Sequence, residues 1–446
     1  MILLRWLYPG MKIKRWLLLT LAGLLLTLLG VDLLMEGGFL GGFARSIHRL
    51  EYALLSEDYN RIAGVVIVIS GLSVMAVGLL KSFHSIAGAL APEQEGRMAE
   101  VIYARHSLKR GPKVVVIGGG TGLSVLLRGL KEYTSNLTAI VTVADDGGSS
   151  GRLRGDLGIL PPGDIRNCLV ALADKEPLME ELLQYRFSTG ELAGHSIGNL
   201  LLAALTDTTG GFDKAVRSLS KVLAVRGQVL PATLSDITLY AELDDGRVVQ
   251  GESKISCTTG IKKVFLKPSR CLPLPEALSA IREADAVVLG PGSLYTSIIP
   301  NLLVKGIPEA LAKTAAIKIY VCNVMTQPGE TGGYTASSHL RAIIAHAGKF
   351  LDYVVLNTGQ VSPRLRARYR QEGAEPVAAD LAEVEKLGIE AVCEDLVYRT
   401  EVVRHHPDKL ARTVLRLIFS SKMQYEKVRY LSNQKEEEPD REISTS

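Results

Sequence analysis

The chain has 446 residues, too many for one ordinary domain and enough to bury a sizeable core. Hydrophobic residues make up 47% and charged residues 22%, which excludes wholesale disorder, and five cysteines in so long a chain exclude a disulfide framework. The net charge of +4 is unevenly spread: residues 1–113 hold 13 Lys/Arg against 8 Asp/Glu, and the remainder holds 38 against 39. The large remainder therefore lacks the basicity of a non-specific nucleic-acid binder, and no nucleic-acid partner is expected.

Two apolar runs open the chain. Trp16 to Leu34 is interrupted by Thr20, Thr27 and Asp32, and Ile62 to Leu80 by Ser70 and Ser73. Each run has 19 residues, and a helix of about 20 residues crosses a ~30 Å hydrocarbon core. Basic residues flank both outer ends: Arg5, Lys12, Lys14 and Arg15 before the first run, and Lys81, Arg97, Arg105, Lys109, Arg110 and Lys113 after the second. The loop between carries Arg45, Arg49 and Arg61 against Glu36, Glu51, Glu57 and Asp58. The positive-inside rule puts both ends in the cytoplasm, giving a multi-pass anchor over residues 1–81 in the cell membrane. A cleaved signal peptide also has a basic start and an apolar stretch, but no A-x-A site lies near Asp32–Gly38, and the second run would still stop transfer.

Residues 82–112 read as a polar linker with Pro92, Gly96, Gly111 and Pro112, partly helical around 96–105. Cys168, Cys257, Cys271, Cys322 and Cys393 form no C-x-x-C pair and read as buried thiols. Residues 434–446 carry charge without apolar periodicity and read as a disordered tail.

Residues 113–433 form the main domain. Short runs apolar on both faces recur at 113–117, 137–143, 286–289, 317–322 and 353–357, as buried parallel strands require. Helical patterns at 124–133 and 275–284 separate some of them, and 195–205 and 212–223 also look helical. The alternation predicts a doubly wound, Rossmann-like α/β fold with a mostly parallel sheet. Residues 237–243 and 248–251, joined by Asp244-Asp245-Gly246-Arg247, read as an inserted antiparallel hairpin.

In such a sheet, ligands bind beyond the carboxyl ends of the strands. Gly118-Gly119-Gly120-Thr121-Gly122 follows the first strand and leads into a helix, where free N–H groups and positive potential suit an anion; a tight turn is the alternative. The spacing is not the dinucleotide fingerprint, since Leu123 occupies the third glycine position, and no G-K-[ST] follows. Asp145 and Asp146 follow the second strand, placed to bind ribose hydroxyls or to hold Mg²⁺ against a diphosphate, or to make an Asx turn. Next come Arg152, suited to phosphate or to a local carboxylate, and Pro161-Pro162-Gly163-Asp164-Ile165-Arg166-Asn167, with Asp164 a candidate helix cap and Arg166 a second phosphate candidate.

His195 and Asn199 open another helix, His195 being the best-placed candidate base or ligand contact. Gly290, Gly292, Ser293, Tyr295 and Thr296 form a second glycine loop after the third strand. Asn323, Thr326, Gln327 and Glu330 follow the fourth strand and suit recognition of a sugar or base. Arg399, Arg404, His405, His406 and Arg412 read as a solvated face, and His339 and His346 lack the company of a zinc site.

Six segments, GGGTGLSVLLRGLK, VTVADDGGSSGRLR, PPGDIRNCL, HSIGNLLLAALT, LGPGSLYTSIIPNLLV and CNVMTQPGET, together resemble the bacterial YvcK, or gluconeogenesis factor, proteins from about residue 113 to 417. The resemblance implies a cytoplasm-facing protein that binds UDP-N-acetylglucosamine, requires no cofactor, and serves cell shape and cell-wall precursor control in gluconeogenic growth. It implies a regulatory protein with partners in wall synthesis, here on a membrane hairpin that the compact members lack. A homo-oligomer is a further expectation. The related 2-phospho-L-lactate transferases of deazaflavin synthesis imply an alternative, a phospho-group transferase with Mg²⁺ on Asp146 and Asp164. Arg166 places a cation in the matching motif and argues against it. A dinucleotide-dependent oxidoreductase is the least supported, given Leu123.

Overall fold

The computed structural model describes residues 14–35, 57–90, 106–174, 177–399 and 402–436. The chain divides into two compact units, Met1–His106 and Ser107–Ser446.

In the first unit, helices Lys14–Leu34 and Glu57–Leu90 pack antiparallel. Both contain spans long and apolar enough to cross a membrane, by length and composition. The packed face is made of small residues at seven-residue spacing. A Cβ on Gly71 would lie 2.6 Å from the Thr27 nitrogen and 2.9 Å from the Gly23 carbonyl, and one on Gly78 would lie 2.7 Å from the Thr20 nitrogen. The large side chains point outward, with Leu18, Ile69 and Leu80 exposed by 65%, 58% and 61%. Burying the small residues and displaying the large apolar ones inverts the pattern of a water-soluble hairpin and matches helix packing in lipid.

Asp32, near the end of the first helix, is buried within the unit. The second helix runs to Leu90, past the expected anchor end at residue 81. Residues 82–90 contain no proline, and Pro92 is the first residue able to stop the helix. The helix expected around residues 96–105 lies outside the described residues.

The second unit is built on seven parallel strands. They are β1 (Val114–Gly118), β2 (Leu137–Val141), β3 (Gln228–Pro231), β7 (Ala286–Leu289), β8 (Ile317–Val321), β9 (Tyr353–Asn357) and β10 (Glu390–Glu394). They are ordered β10-β9-β8-β7-β1-β2-β3, and every pairing is parallel. The chain steps from β1 through β2 to β3, then returns to the other side of β1 as β7. That reversal between β1 and β7 is the topological switch point. Both sheet faces are covered, and β1, β2 and β7 are buried throughout. The inserted hairpin is β4 (Thr238–Leu243) with β5 (Val248–Gln250), and a further strand, β6 (Ile261–Lys267), pairs antiparallel on the other side of β4. A separate ribbon joins β11 (Val397–Arg399) to β12 (Val403–His405) before the last helix, Pro407–Glu436.

Several boundaries differ from those expected. The first helix of the domain, Gly120–Leu130, begins four residues earlier than the apolar pattern indicates, so Gly120–Gly122 form its first turn. Glycines carry no apolar signal, so periodicity registers the helix only from Leu123. Asp164 is not a cap: it lies inside helix Gly163–Leu172, whose cap position is Pro162. Helix Ile197–Thr209 begins after His195, capped by the Ser196 hydroxyl, which accepts from the Asn199 N–H. The last helix reaches Glu436, into the segment read as a tail, and residues 437–446 lie outside the described part.

Candidate ligand cleft at the strand switch point

Strands β1 and β7 end side by side, and each delivers a glycine loop to the same place. A Cβ on Gly122 would lie 2.6 Å from the Pro291 carbonyl, and one on Gly292 would lie 3.2 Å from the Gly119 carbonyl. Only side-chain-free positions allow this approach. Gly120 (φ +66°) and Gly290 (φ +75°) also adopt the left-handed region. Between and above the loops lies a cleft of about 400 Å³. Gly119, Gly120, Thr121, Gly122, Gly292, Ser293 and Thr296 line it, with Asp145 and Asp164. Helix Gly120–Leu130 begins here without a side-chain cap, so its first N–H groups are the natural anion donors.

The fourth strand-end loop braces the second glycine loop. Asn323 accepts from the Gly292 N–H (3.2 Å) and donates back to the Gly292 carbonyl (2.8 Å). The Ser293 hydroxyl donates to Gln327 (2.7 Å). Glu330 is buried and accepts from the Thr296 hydroxyl (2.6 Å) and the Tyr295 N–H (3.2 Å). Asn323 and Gln327, expected to read a sugar or base, line the cleft while bonding the second glycine loop, and Glu330 lies buried behind it. Tyr295 turns away from the cleft and shares a hydrogen bond with the Tyr334 hydroxyl (2.9 Å). The Thr326 hydroxyl accepts from the Glu375 N–H (2.9 Å), away from the cleft lining. Gly118 belongs to β1 itself, its carbonyl accepting from Asn301 (3.0 Å).

The opposite wall is acidic. Asp145 lines the cleft and closes an Asx turn by accepting from the Gly147 N–H (2.9 Å). Asp164 fills the space that a Gly119 side chain would take, its Oδ2 lying 2.6 Å from that Cβ position. Burial and the neighbouring Asp145 carboxylate push its pKa up to about 6, against the Gly120 N–H and Arg166, which favour the charge. Glu252, next to β5, also lines the cleft. Burial, then Asp145, Asp146, Asp164 and Glu330, push its pKa up to about 7. Arg404 and His405 of β12 complete the lining. Burial holds His405 neutral, with its pKa at about 4.

Asp146, Arg152, Arg166, Asn167, His195 and Asn199 also stand apart from this lining. Asp146 accepts from the Ser253 N–H (2.9 Å) and docks the Gly251 turn. It is therefore not paired with Asp164 around a shared ion, and among the described residues no three His, Cys, Asp or Glu side chains are grouped to hold a metal. Arg166 is buried and donates to the Ser196 hydroxyl, Asn199 (3.0 Å) and Asn167 (2.7 Å). Asn199 also donates to the Ser149 hydroxyl (3.0 Å), which meets Nδ1 of His195 (3.0 Å). Arg152 bonds the Ala193 carbonyl (2.8 Å).

Sequence reasoning missed Glu252, Arg404 and His405. Glu252 lies on a four-residue helix with no periodicity to reveal it. The Arg404–His405 stretch, read as a solvated face, is instead a strand with alternating buried and exposed positions. Two of the five cysteines, Cys257 and Cys393, are exposed rather than buried.

A doubly wound sheet whose switch point opens between two glycine loops defines a Rossmann-like α/β domain with a candidate ligand cleft. Residues 114–397 match the family described as 2-phospho-L-lactate transferase CofD. A "Putative gluconeogenesis factor" of Nostoc sp. is 50% identical over 429 residues, covering 92% of each chain, so the likeness extends into the first unit. The "Gluconeogenesis factor" of Bacillus subtilis is 53% identical and covers 69% of this chain and 98% of its own. A crystal structure of a Bacillus halodurans protein superposes with a TM-score of 0.67 at 53% identity, covering 69% of this chain and 99% of that one. The chain belongs to the gluconeogenesis factor family, whose core is the CofD domain.

Proposed function

We propose that this chain is a membrane-anchored regulatory protein that binds UDP-N-acetylglucosamine in the cytoplasm. Through that ligand it adjusts cell-wall precursor supply and cell shape during gluconeogenic growth. The observation that carries the reading is the fusion of two glycine loops into one cradle, with the Gly122 Cβ position 2.6 Å from Pro291. Such a cradle presents backbone N–H groups to a diphosphate. Thr121 and Ser293 add hydroxyls, and Arg404 adds a cation across the cleft. The name gluconeogenesis factor, borne by relatives at about half identity, supports the physiological setting.

The two apolar helices and their basic flanks support anchoring in the cell membrane with the second unit on the cytoplasmic side. Ligand occupancy would be relayed to protein partners in wall synthesis, with the chain acting as a homo-oligomer. The test is calorimetric titration of the full chain, in non-ionic detergent, with UDP-N-acetylglucosamine. Saturable heat is expected, and its absence at millimolar ligand removes the reading.

A further inference from the structure

Outside the cleft, a second group of side chains gathers on the loop before helix Ile197–Thr209. Arg152 donates to the carbonyl of Ala193 (2.8 Å), and Arg186 donates to that of the next residue, Gly194. Gly194 has φ +83°, and a Cβ there would lie 2.7 Å from Nη2 of Arg152, so the bare backbone lets the guanidinium lie against the loop. His195 follows directly. Its Nδ1 lies 3.0 Å from the Ser149 hydroxyl, which also accepts from Asn199 (3.0 Å), so the ring is held in place by a buried polar pair. Burial and the charges of Arg152 and Arg186 keep this ring below its usual pKa, with Asp156 acting the other way. Arg166 adds a buried positive charge to the same neighbourhood.

These arginines differ from their counterparts elsewhere on the domain. Arg128 pairs with Glu180, Arg217 with Glu276 and Arg341 with Glu383. Among the described residues, the hydrogen bonds of Arg152, Arg166 and Arg186 go to carbonyls, a hydroxyl and amides rather than to a carboxylate. Arg152 and Arg186 are exposed, each fixed through one terminal nitrogen, with further N–H donors left over.

We propose that Arg152 and Arg186, beside the His195 ring, form a second anion site, distinct from the glycine-loop cleft, that takes the phosphate group of a small metabolite. Fixed guanidinium forks match phosphate oxygens bidentately, and the bonds to Ala193 and Gly194 set their positions before the ligand arrives. The site touches the cleft's own framework, because Ser149 sits four residues after the cleft-lining Asp145.

The test uses the full chain in non-ionic detergent, titrated calorimetrically with inorganic pyrophosphate. Arg152→Gln and Arg186→Gln, both at exposed positions, are each expected to weaken one binding component at least tenfold while UDP-N-acetylglucosamine binding stays within about twofold. Pyrophosphate isotherms unchanged in both variants would overturn the site, as would a wild-type chain that does not bind pyrophosphate. Pyrophosphate can also enter the glycine-loop cradle, so the component lost in the two variants is the one that reports this site, and that loss is read whether or not the nucleotide sugar binds.

Discussion

Residue types in the motifs pointed to a polar, ligand-bearing surface, but type does not reveal what a side chain already holds. Arg166 and Asn199 carry suitable chemistry and spend it on each other. Asp164 and Glu252 are the clearest residue-scale consequence of the fold. Each has a folded pKa, about 6 and about 7, above its ordinary value, so the folded protein binds more protons than the unfolded chain between roughly pH 4 and 7. The stability contribution is fully present below the ordinary carboxylate pKa and is lost as pH rises through 6 to 7. Glu252→Gln should therefore raise the melting temperature at pH 8 and leave it nearly unchanged at pH 4.5. An anionic ligand pushes both groups further toward protonation, so its affinity should tighten from pH 8 to pH 6, by up to about tenfold per pH unit for each proton taken up. Equal melting temperatures for wild type and Glu252→Gln at pH 8 would contradict the charge repulsion deduced from the cleft.

At the scale of elements, legibility followed burial. β1, β2 and β7 have no exposed face, and their unbroken apolar runs can be read directly from the sequence. The edge strands could not be read this way. β3 ends in Pro231, tolerable only where no further neighbour needs its N–H, and β10 reads Glu-Ala-Val-Cys-Glu with both ends polar. β6, which has Lys262 and Lys263 exposed, also lacked a clean alternation. The glycine loops were legible because composition alone marks them, whereas the elements that brace them were not. Glu330 is the main brace, since its carboxylate holds both Tyr295 and Thr296 at the head of the second loop. Glu330→Ala leaves a buried N–H and hydroxyl without their acceptor, costing on the order of 1–3 kcal/mol. Ligand affinity should fall with it, and Glu330→Gln should recover part of both, as read by denaturant unfolding and calorimetry. Normal affinity in a folded Glu330→Ala protein would show that the second loop holds its shape unaided.

At the scale of the whole molecule, the two units carry opposite surface patterns. The domain hides its large apolar side chains, while the hairpin displays Leu18, Ile69 and Leu80 and hides glycine and threonine. Relatives such as the Bacillus subtilis protein correspond to 69% of this chain, a length that the second unit alone can supply. Removing residues 1–106 should therefore leave a folded domain that appears in the soluble fraction and binds the nucleotide sugar as tightly as the full chain. The full chain should sediment with membranes and resist carbonate extraction. Within the hairpin, Gly71→Leu forces a side chain into the Thr27 and Gly23 backbones and should separate the helices at a cost of about 1–3 kcal/mol. Leu18→Ala, on the outer face, should not disturb the pairing. A cysteine at position 71 or 78 would itself intrude on the facing backbone, so the pairing is better followed by thermal unfolding of the full chain in non-ionic detergent. If Gly71→Leu left the hairpin as stable as the wild type, or if the full chain were found in the soluble fraction, the inverted hairpin would have to be explained by something other than lipid.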